Sequence, residues 1–215
     1  MMRFDLGQPD TLVLLGAHCD DIAIGAGGLL LSLCRRWPGI EVRALVLTGM
    51  GTEREMEEQK ALASLCPRAS LDLTVLDLPD GRMPSRWEEV KSALEVVRSE
   101  VAEQAVVIGP HRGDAHQDHR CLAEIVPSVF RGHLLLGYEI VKWDADLGQP
   151  SVFFPLDDEV AEEKVEVLHA HYRSQFGRQW FDREAFLGLA RLRGVQSRSR
   201  YAEAFYTDKV VLGGG

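Results

Sequence analysis

Residues Thr11–Gly28 read TLVLLGAHCDDIAIGAGG. The first six form a short apolar run without alternation, Thr11–Gly16, which reads as a buried strand. Gly25–Arg36 reads as the helix after it, closed by Trp37-Pro38-Gly39, which cannot continue a helix. The polar residues between strand and helix, His18, Cys19, Asp20 and Asp21, therefore lie where a strand ends.

The same alternation repeats along the chain. Glu41–Leu47 reads as a strand, and Thr52 with Glu55 has capping-box spacing before a polar helix to about Leu65. Leu71–Leu76 alternates as a strand, and Asp80-Gly81 marks a turn. Ser85 and Glu88 have the spacing of a second capping box. The helix behind them shows one apolar face: Trp87, Val90, Leu94, Val97 and Val101. Ala105–Gly109 is a further buried strand, followed by a polar stretch His111–His119 and a helix to about Phe130. Strands near Leu134–Ile140, Val152–Phe154 and Tyr201–Leu212, with helices near Glu159–His171 and Asp182–Leu192, complete the reading. Strictly alternating strands and helices predict an α/β fold with a mostly parallel, Rossmann-like sheet covered by helices on both faces. Ligands of such sheets bind beyond the carboxyl ends of the strands. Both polar clusters follow apolar strands directly, so both belong on that edge.

At 215 residues and 46% apolar content, the chain fits one compact domain spanning 1–215. A formal net charge of −9 with no basic tract disfavours nucleic acid, whose phosphates repel an acidic surface. No apolar run approaches the ~20 residues of a membrane span. The opening MMRFDLGQPD does not read as a signal segment, so a cytoplasmic protein without stable membrane insertion is expected. The four cysteines (Cys19, Cys34, Cys66 and Cys121) form no CxxC pair, which excludes a zinc ribbon.

Two clusters carry the chemistry. In the first, adjacent carboxylates at Asp20 and Asp21 are costly unless a cation or hydrogen bonds offset their repulsion. His18 stands three residues before Asp21, close enough for both side chains to reach one metal, which leaves Asp20 free as a base. The competing reading is a polar loop in which one aspartate caps the next helix. A dinucleotide-binding turn is a third, though GAGG lies well after the strand and is not G-x-G-x-x-G. The second cluster packs His111, Asp114, His116, Asp118 and His119 into nine residues. Together the clusters supply two histidines and an aspartate with carboxylates to spare, the donor set of a catalytic metal with an open position. A spare base and a group able to protonate an amine make the set read as metal-assisted hydrolysis.

His18-Cys19-Asp20-Asp21 with Gly25-Ala26-Gly27-Gly28 resembles the AHPDD…GxGG signature of PIG-L-type (LmbE-like) zinc N-deacetylases, and His116-Gln117-Asp118-His119 resembles that family's HxDH motif. Thr48 and Arg54 resemble its T-x-G…R segment, Lys164, His171, Ser174 and Gln175 its K…H-x-x-S-Q segment, and Arg193-Gly194 with Tyr201–Phe205 its RG…YAEAF ending. The resemblance implies that His18, Asp21 and His119 hold zinc, with iron or another divalent ion able to use the same ligands. It implies that Asp20 is the general base, that His116 is an imidazolium acting on the oxyanion or the leaving amine, and that Asp118 orients a ligand histidine. Arg54, Asp114 and His171 would face a small-molecule amino-sugar substrate carrying an N-acetyl group, and the protein would be an oligomer. The family's usual proline is Cys19 here, read as a packing residue, and its frequent acid after the double aspartate is Ile22. Other readings are a different amide or ester at the same metal, a sugar-binding member without catalysis, and a nucleotide-binding Rossmann protein. Trp143, Trp180, Phe153, Phe154 and Phe181 are candidates for a sugar-stacking wall among residues that otherwise read as core.

Overall fold

The structure, a computed structural model, describes residues 5–211. Strand β1 (Thr11–Gly16) is buried at every position. It lies between β2 (Glu41–Val46) and β4 (Val106–Pro110), parallel to both, with Leu12 opposite Val42 on one side and Val106 on the other. Strand β3 (Ser70–Val75) extends the sheet beyond β2, and β5 (Leu134–Tyr138) beyond β4. Two antiparallel strands finish it: β7 (Tyr201–Tyr206) against β5, then β6 (Val152–Leu156) at the edge. The order is β3-β2-β1-β4-β5-β7-β6. Strand order therefore reverses between β1 and β4, and the crevice beyond their carboxyl ends is the switch point where open α/β sheets bind ligands.

Helices cover both faces, as the alternation requires. One face carries α1 (Asp21–Arg36), α2 (Glu53–Leu65), α5 (Asp158–His171) and α6 (Arg183–Ser197) over a core that includes Leu12, Leu14, Val42 and Ile108. The other carries α3 (Trp87–Ser99) and α4 (Gln117–Val129) over Val13, Leu15, Leu45 and Val107. The alternate residues of β1 thus feed two separate cores, which is why the strand is apolar without interruption.

Helix α1 begins at Asp21, four residues before the sequence expectation, because the turn at Asp20 feeds directly into it. Its glycines allow close approach to the sheet. A Cβ on Gly25 would lie 2.4 Å from Cγ of Tyr138, and one on Gly28 2.6 Å from a methyl carbon of Leu156. The Thr52 cap is present, its hydroxyl accepting from the Arg54 amide at 3.2 Å, while Glu55 reaches Gly51 rather than Thr52. The Ser85 capping box is absent. Pro84 sits at the second position of a 3-10 turn over Met83–Arg86, and the Ser85 hydroxyl donates back to the Arg82 carbonyl at 2.7 Å. Trp87 then heads α3 on its exposed side, while Val90 and Leu94 are fully buried. Strand β7 ends at Tyr206, short of the expected Leu212, which lies outside the described residues.

Candidate active site

Strand β1 delivers Ala17–Asp21 to the switch point, and β4 delivers His111–His119. The first turn is held by its backbone. Asp21 Oδ2 accepts the amides of Ala17 at 2.9 Å and His18 at 2.8 Å, so this carboxylate closes the turn instead of capping the helix beyond it. The Thr48 hydroxyl donates to the Ala17 carbonyl at 3.0 Å. Asp20, at the N-cap position, caps nothing, and its φ of 125° lies where only glycine is comfortable. Such a conformation costs on the order of 1–3 kcal/mol and persists only where neighbours over-determine it.

The turn brings three donor atoms together. His18 Nδ1 lies 3.2 Å from His119 Nε2 and 3.5 Å from Asp21 Oδ2, and the last two atoms are 3.2 Å apart. A tetrahedral ion with N and O ligands at about 2.0–2.1 Å spaces its donors roughly 3.3–3.4 Å apart, so this triangle fits a divalent metal such as zinc. His116 joins the same group, one ring nitrogen of each of the three histidines lying within 4.8 Å of the others. A second grouping places His18 with Asp80 and Asp118, but these carboxylates meet the far nitrogen, Nε2, at 3.0 and 3.2 Å. They act on His18 as hydrogen-bond acceptors that fix its tautomer.

The electrostatics match a cation site. Burial pushes against charge on His119, but the Asp21 and Asp114 carboxylates win and raise it to about 9. The carboxylates of Asp118, Asp21 and Asp80 likewise lift His18 well above its ordinary value against burial. Asp21 is held well below the carboxylate range because His119 and His18 outweigh its burial. Its neighbour behaves oppositely: burial pushes Asp20 up to about 7, opposed by the Arg54 guanidinium 3.0 Å away and reinforced by the Asp21 charge. Two adjacent aspartates with opposite shifts are the environment-made division of labour expected of a site that needs one ligand and one base.

Asp118 is completely buried, accepting from the amides of Gly81 at 2.7 Å and Met83 at 3.1 Å as well as facing His18. The His116 ring accepts the Asp118 amide on Nδ1 at 3.3 Å, and burial followed by the charges of His18 and His119 lowers its pKa. This favours a neutral ring with its proton on Nε2, where the sequence reading expects an imidazolium.

The sequence reading sets Arg54, Asp114 and His171 against substrate, and the structure separates them. Arg54 stands on the cleft wall and also binds the Cys19 carbonyl. Asp114 is corrected: its side chain is sealed from solvent, 2.8 Å from His119 Nδ1 and 3.0 Å from Lys142 Nζ, so it faces a histidine ring and not the cleft. His171 is also corrected: it lies off the cleft, its Nε2 paired with the Ser64 hydroxyl at 3.1 Å, because the end of α5 turns toward α2. The C-terminal residues of the resemblance are likewise structural. Glu203 accepts the amides of Gly28 and Leu29, both at 2.7 Å, and pairs with Lys164, while Arg193 makes a two-pronged pair with Glu139. All four cysteines are buried and free. Cys19 donates to the Thr48 carbonyl at 3.4 Å, and burial drives its thiol pKa far up.

The cleft above these residues encloses about 210 Å³. Its walls add Asp80, Lys142, Trp143, Gln175, Arg178 and Trp180, so both tryptophans weighed as a stacking wall reach it. Asp80 and Lys142 were missed by sequence reasoning. Asp80 carries only a turn signal, and Lys142 only an isolated charge after a strand. A larger cavity of about 370 Å³ lies behind His111, which stacks on Tyr206 at 4.4 Å, and its lining includes none of the three donor residues His18, Asp21 and His119.

The family described as GlcNAc-PI de-N-acetylase (PIG-L) matches residues 13–130, more than half of the chain. The chain belongs to the PIG-L family. Membership places this PIG-L protein among deacetylases. It is 28% identical over 172 residues to the uncharacterized deacetylase YaiS of Escherichia coli K12, covering 74% of this chain and 89% of that one. The PIG-L chain also superposes on N,N'-diacetylchitobiose deacetylase of Pyrococcus horikoshii, with a TM-score of 0.73 and 22% identity over 95% of this chain and 87% of that one. It superposes comparably on GalB, the 4-carboxy-2-hydroxymuconate hydratase of Pseudomonas putida KT2440, with a TM-score of 0.71 and 15% identity over 96% and 99% of the two chains. These structural likenesses establish the fold, and the hydratase shows that the fold alone does not name the reaction. Among the described residues, no helix is long and apolar enough to cross a membrane.

Proposed function

We propose that this protein hydrolyses the N-acetyl group of an N-acetylglucosamine-type amino sugar or its conjugate, using a divalent metal held by His18, Asp21 and His119. The observation that carries the reading is the donor triangle with Asp20 and His116 on the same cleft. Zinc suits two imidazoles and one carboxylate, and iron would accept the same set. A bound ion would supply Lewis acidity, polarising the acyl carbonyl and acidifying the attacking water.

The remaining work falls to side chains. Asp20 takes the proton of the attacking water. Arg54, 3.0 Å from its carboxylate, favours the ionised form. His116 donates from Nε2 to the oxygen that gains charge in the tetrahedral intermediate. The proton held by Asp20 then passes to the amine nitrogen as the C–N bond breaks, giving free amine and acetate. Asp118 and Asp114 keep His18 and His119 in the tautomers that present Nδ1 and Nε2 to the metal. Trp143 and Trp180 offer apolar faces to a sugar ring. Support for the sugar comes from the family's description and from the chitobiose deacetylase likeness.

Acetate release from a panel of N-acetylglucosamine derivatives, measured with metal content, tests this. Release by wild type, lost in Asp20→Ala with metal retained, supports it. Metal binding without acetate release from any sugar, together with hydrolysis of another amide or ester, would keep the site and discard the substrate.

A further inference from the structure

Nothing in the mechanism explains what holds Asp20 in its positive-φ conformation. The flanks of the turn are tied down by Thr48 and Asp21, and the peptide joining Cys19 to Asp20 is met by α2. Arg54 Nη2 donates to the carbonyl end of that peptide. At its amide end, one helical turn further along α2, stands Glu58. This side chain is fully buried, and its Oε2 accepts from the Tyr172 hydroxyl at 2.7 Å. The Asp20 amide approaches the same carboxyl too loosely to close a bond of ordinary geometry, and among the described residues Oε1 has no partner.

A sealed carboxyl with an unpartnered oxygen is a poor structural choice. Desolvating it is unfavourable, the like charges of Asp20 and Asp21 add to that cost, and an apolar side chain of similar size would avoid both. Its polar contacts reach Tyr172 and the active-site turn.

We propose that Glu58 is a positioning residue for Asp20: Arg54 and Glu58, at i and i+4 on α2, hold the two poles of the Cys19–Asp20 peptide, and Tyr172 holds Glu58. This rests on the reading of Asp20 as the base. Tightening of the loose Asp20–Glu58 contact is expected when the site is loaded, since catalytic hydrogen bonds often close only in the working complex.

The test uses the metal-loaded full chain as wild type, Glu58→Leu, Glu58→Gln, Tyr172→Phe and Asp20→Ala. Glu58→Leu is expected to keep its metal and to melt at or above wild type, yet to lose kcat about tenfold or more with KM little changed, because small misplacements of a reacting group are costly. Glu58→Gln should keep activity within about twofold, since its carbonyl oxygen can accept the Asp20 amide while its NH2 donates to the Tyr172 hydroxyl, and Tyr172→Phe should lose a smaller factor than Glu58→Leu. A crystal structure of Glu58→Leu should show Asp20 leaving its positive φ or losing Arg54. A merely structural role would lower melting temperature and spare kcat. Activity of Glu58→Leu within twofold of wild type, or an unchanged Asp20 turn in its crystal structure, overturns the proposal. Should Glu58→Leu fail to fold, the same thresholds apply to Glu58→Met. If Asp20→Ala is as active as wild type, the base assignment fails instead, and the geometry of the turn still decides what Glu58 does.

Discussion

The two segments that meet at the site are built differently. The turn after β1 is short, entirely buried and fixed by backbone hydrogen bonds, with one residue forced into a positive φ. The segment after β4 is longer and is held by charge: Asp114 pairs with Lys142, Lys142 with Asp146 at 2.5 Å, and Asp146 accepts the Ala115 amide at 2.7 Å. His116, at its tip, is half-buried, its amide donating to Asp114 at 2.7 Å and its ring accepting the Asp118 amide at 3.3 Å. A backbone-fixed turn tolerates little but holds atoms closely, whereas a charge-held loop can lose one member and adjust. Damage on the first segment should therefore be nearly complete, and damage on the second graded.

The largest effect is expected from His18→Ala, which removes one corner of the donor triangle. Metal content should collapse and acetate release fall to background. Elemental analysis retaining full metal would contradict the ligand assignment. Next, Asp20→Asn should keep the metal while kcat falls by about 10²–10⁴, the range of a lost general base. On the charge-held segment, Asp114→Ala should leave the protein folded and active at saturating metal, but weaken metal affinity about 10- to 100-fold. Loss as severe as in His18→Ala would erase the contrast between the segments.

Metal-free protein offers a gentler probe. His119 is raised from its ordinary value to about 9, so its protonated form stabilises the fold fully below about pH 6.5. That contribution is lost as pH rises through 9, on the order of 3 kcal/mol or several degrees of melting temperature. Metal displaces the proton, so the loaded protein should show a smaller decline over the same range. A metal-free melting temperature that rises from pH 6.5 to 9 would refute the carboxylate environment described for His119. The smallest effect is expected at Cys19→Ala. The thiol packs against Gly49 and Thr48, so kcat should stay within about twofold and stability fall by about 1 kcal/mol. A larger fall in kcat would give the thiol a role.

Strand and helix identities were legible because burial on both faces of β1 and β4 leaves no polar residue to interrupt the run. Boundaries were less so. Helix α1 starts early because Asp20 is held at an angle its residue type disfavours, and α6 runs to Ser197 through Gly194, whose missing Cβ makes room for the Arg200 carbonyl. Residues within one cluster were legible by spacing, as with His18 and Asp21. Residues that act across the fold, such as Glu58 and Asp80, carry no local signal, since a helix glutamate or a turn aspartate ordinarily faces solvent.

The amino-acid sequence by itself determined the α/β class, the two polar clusters at strand ends and the family they resemble, because periodicity and short spacings are local properties of the chain. Only the tertiary structure decided that β1 and β4 are neighbours, that Asp21 and Asp20 shift in opposite directions, and that Asp114 serves a histidine while His171 lies apart. Those outcomes depend on which distant groups share a low-dielectric interior, and burial and Coulombic neighbours exist only once the strands are ordered.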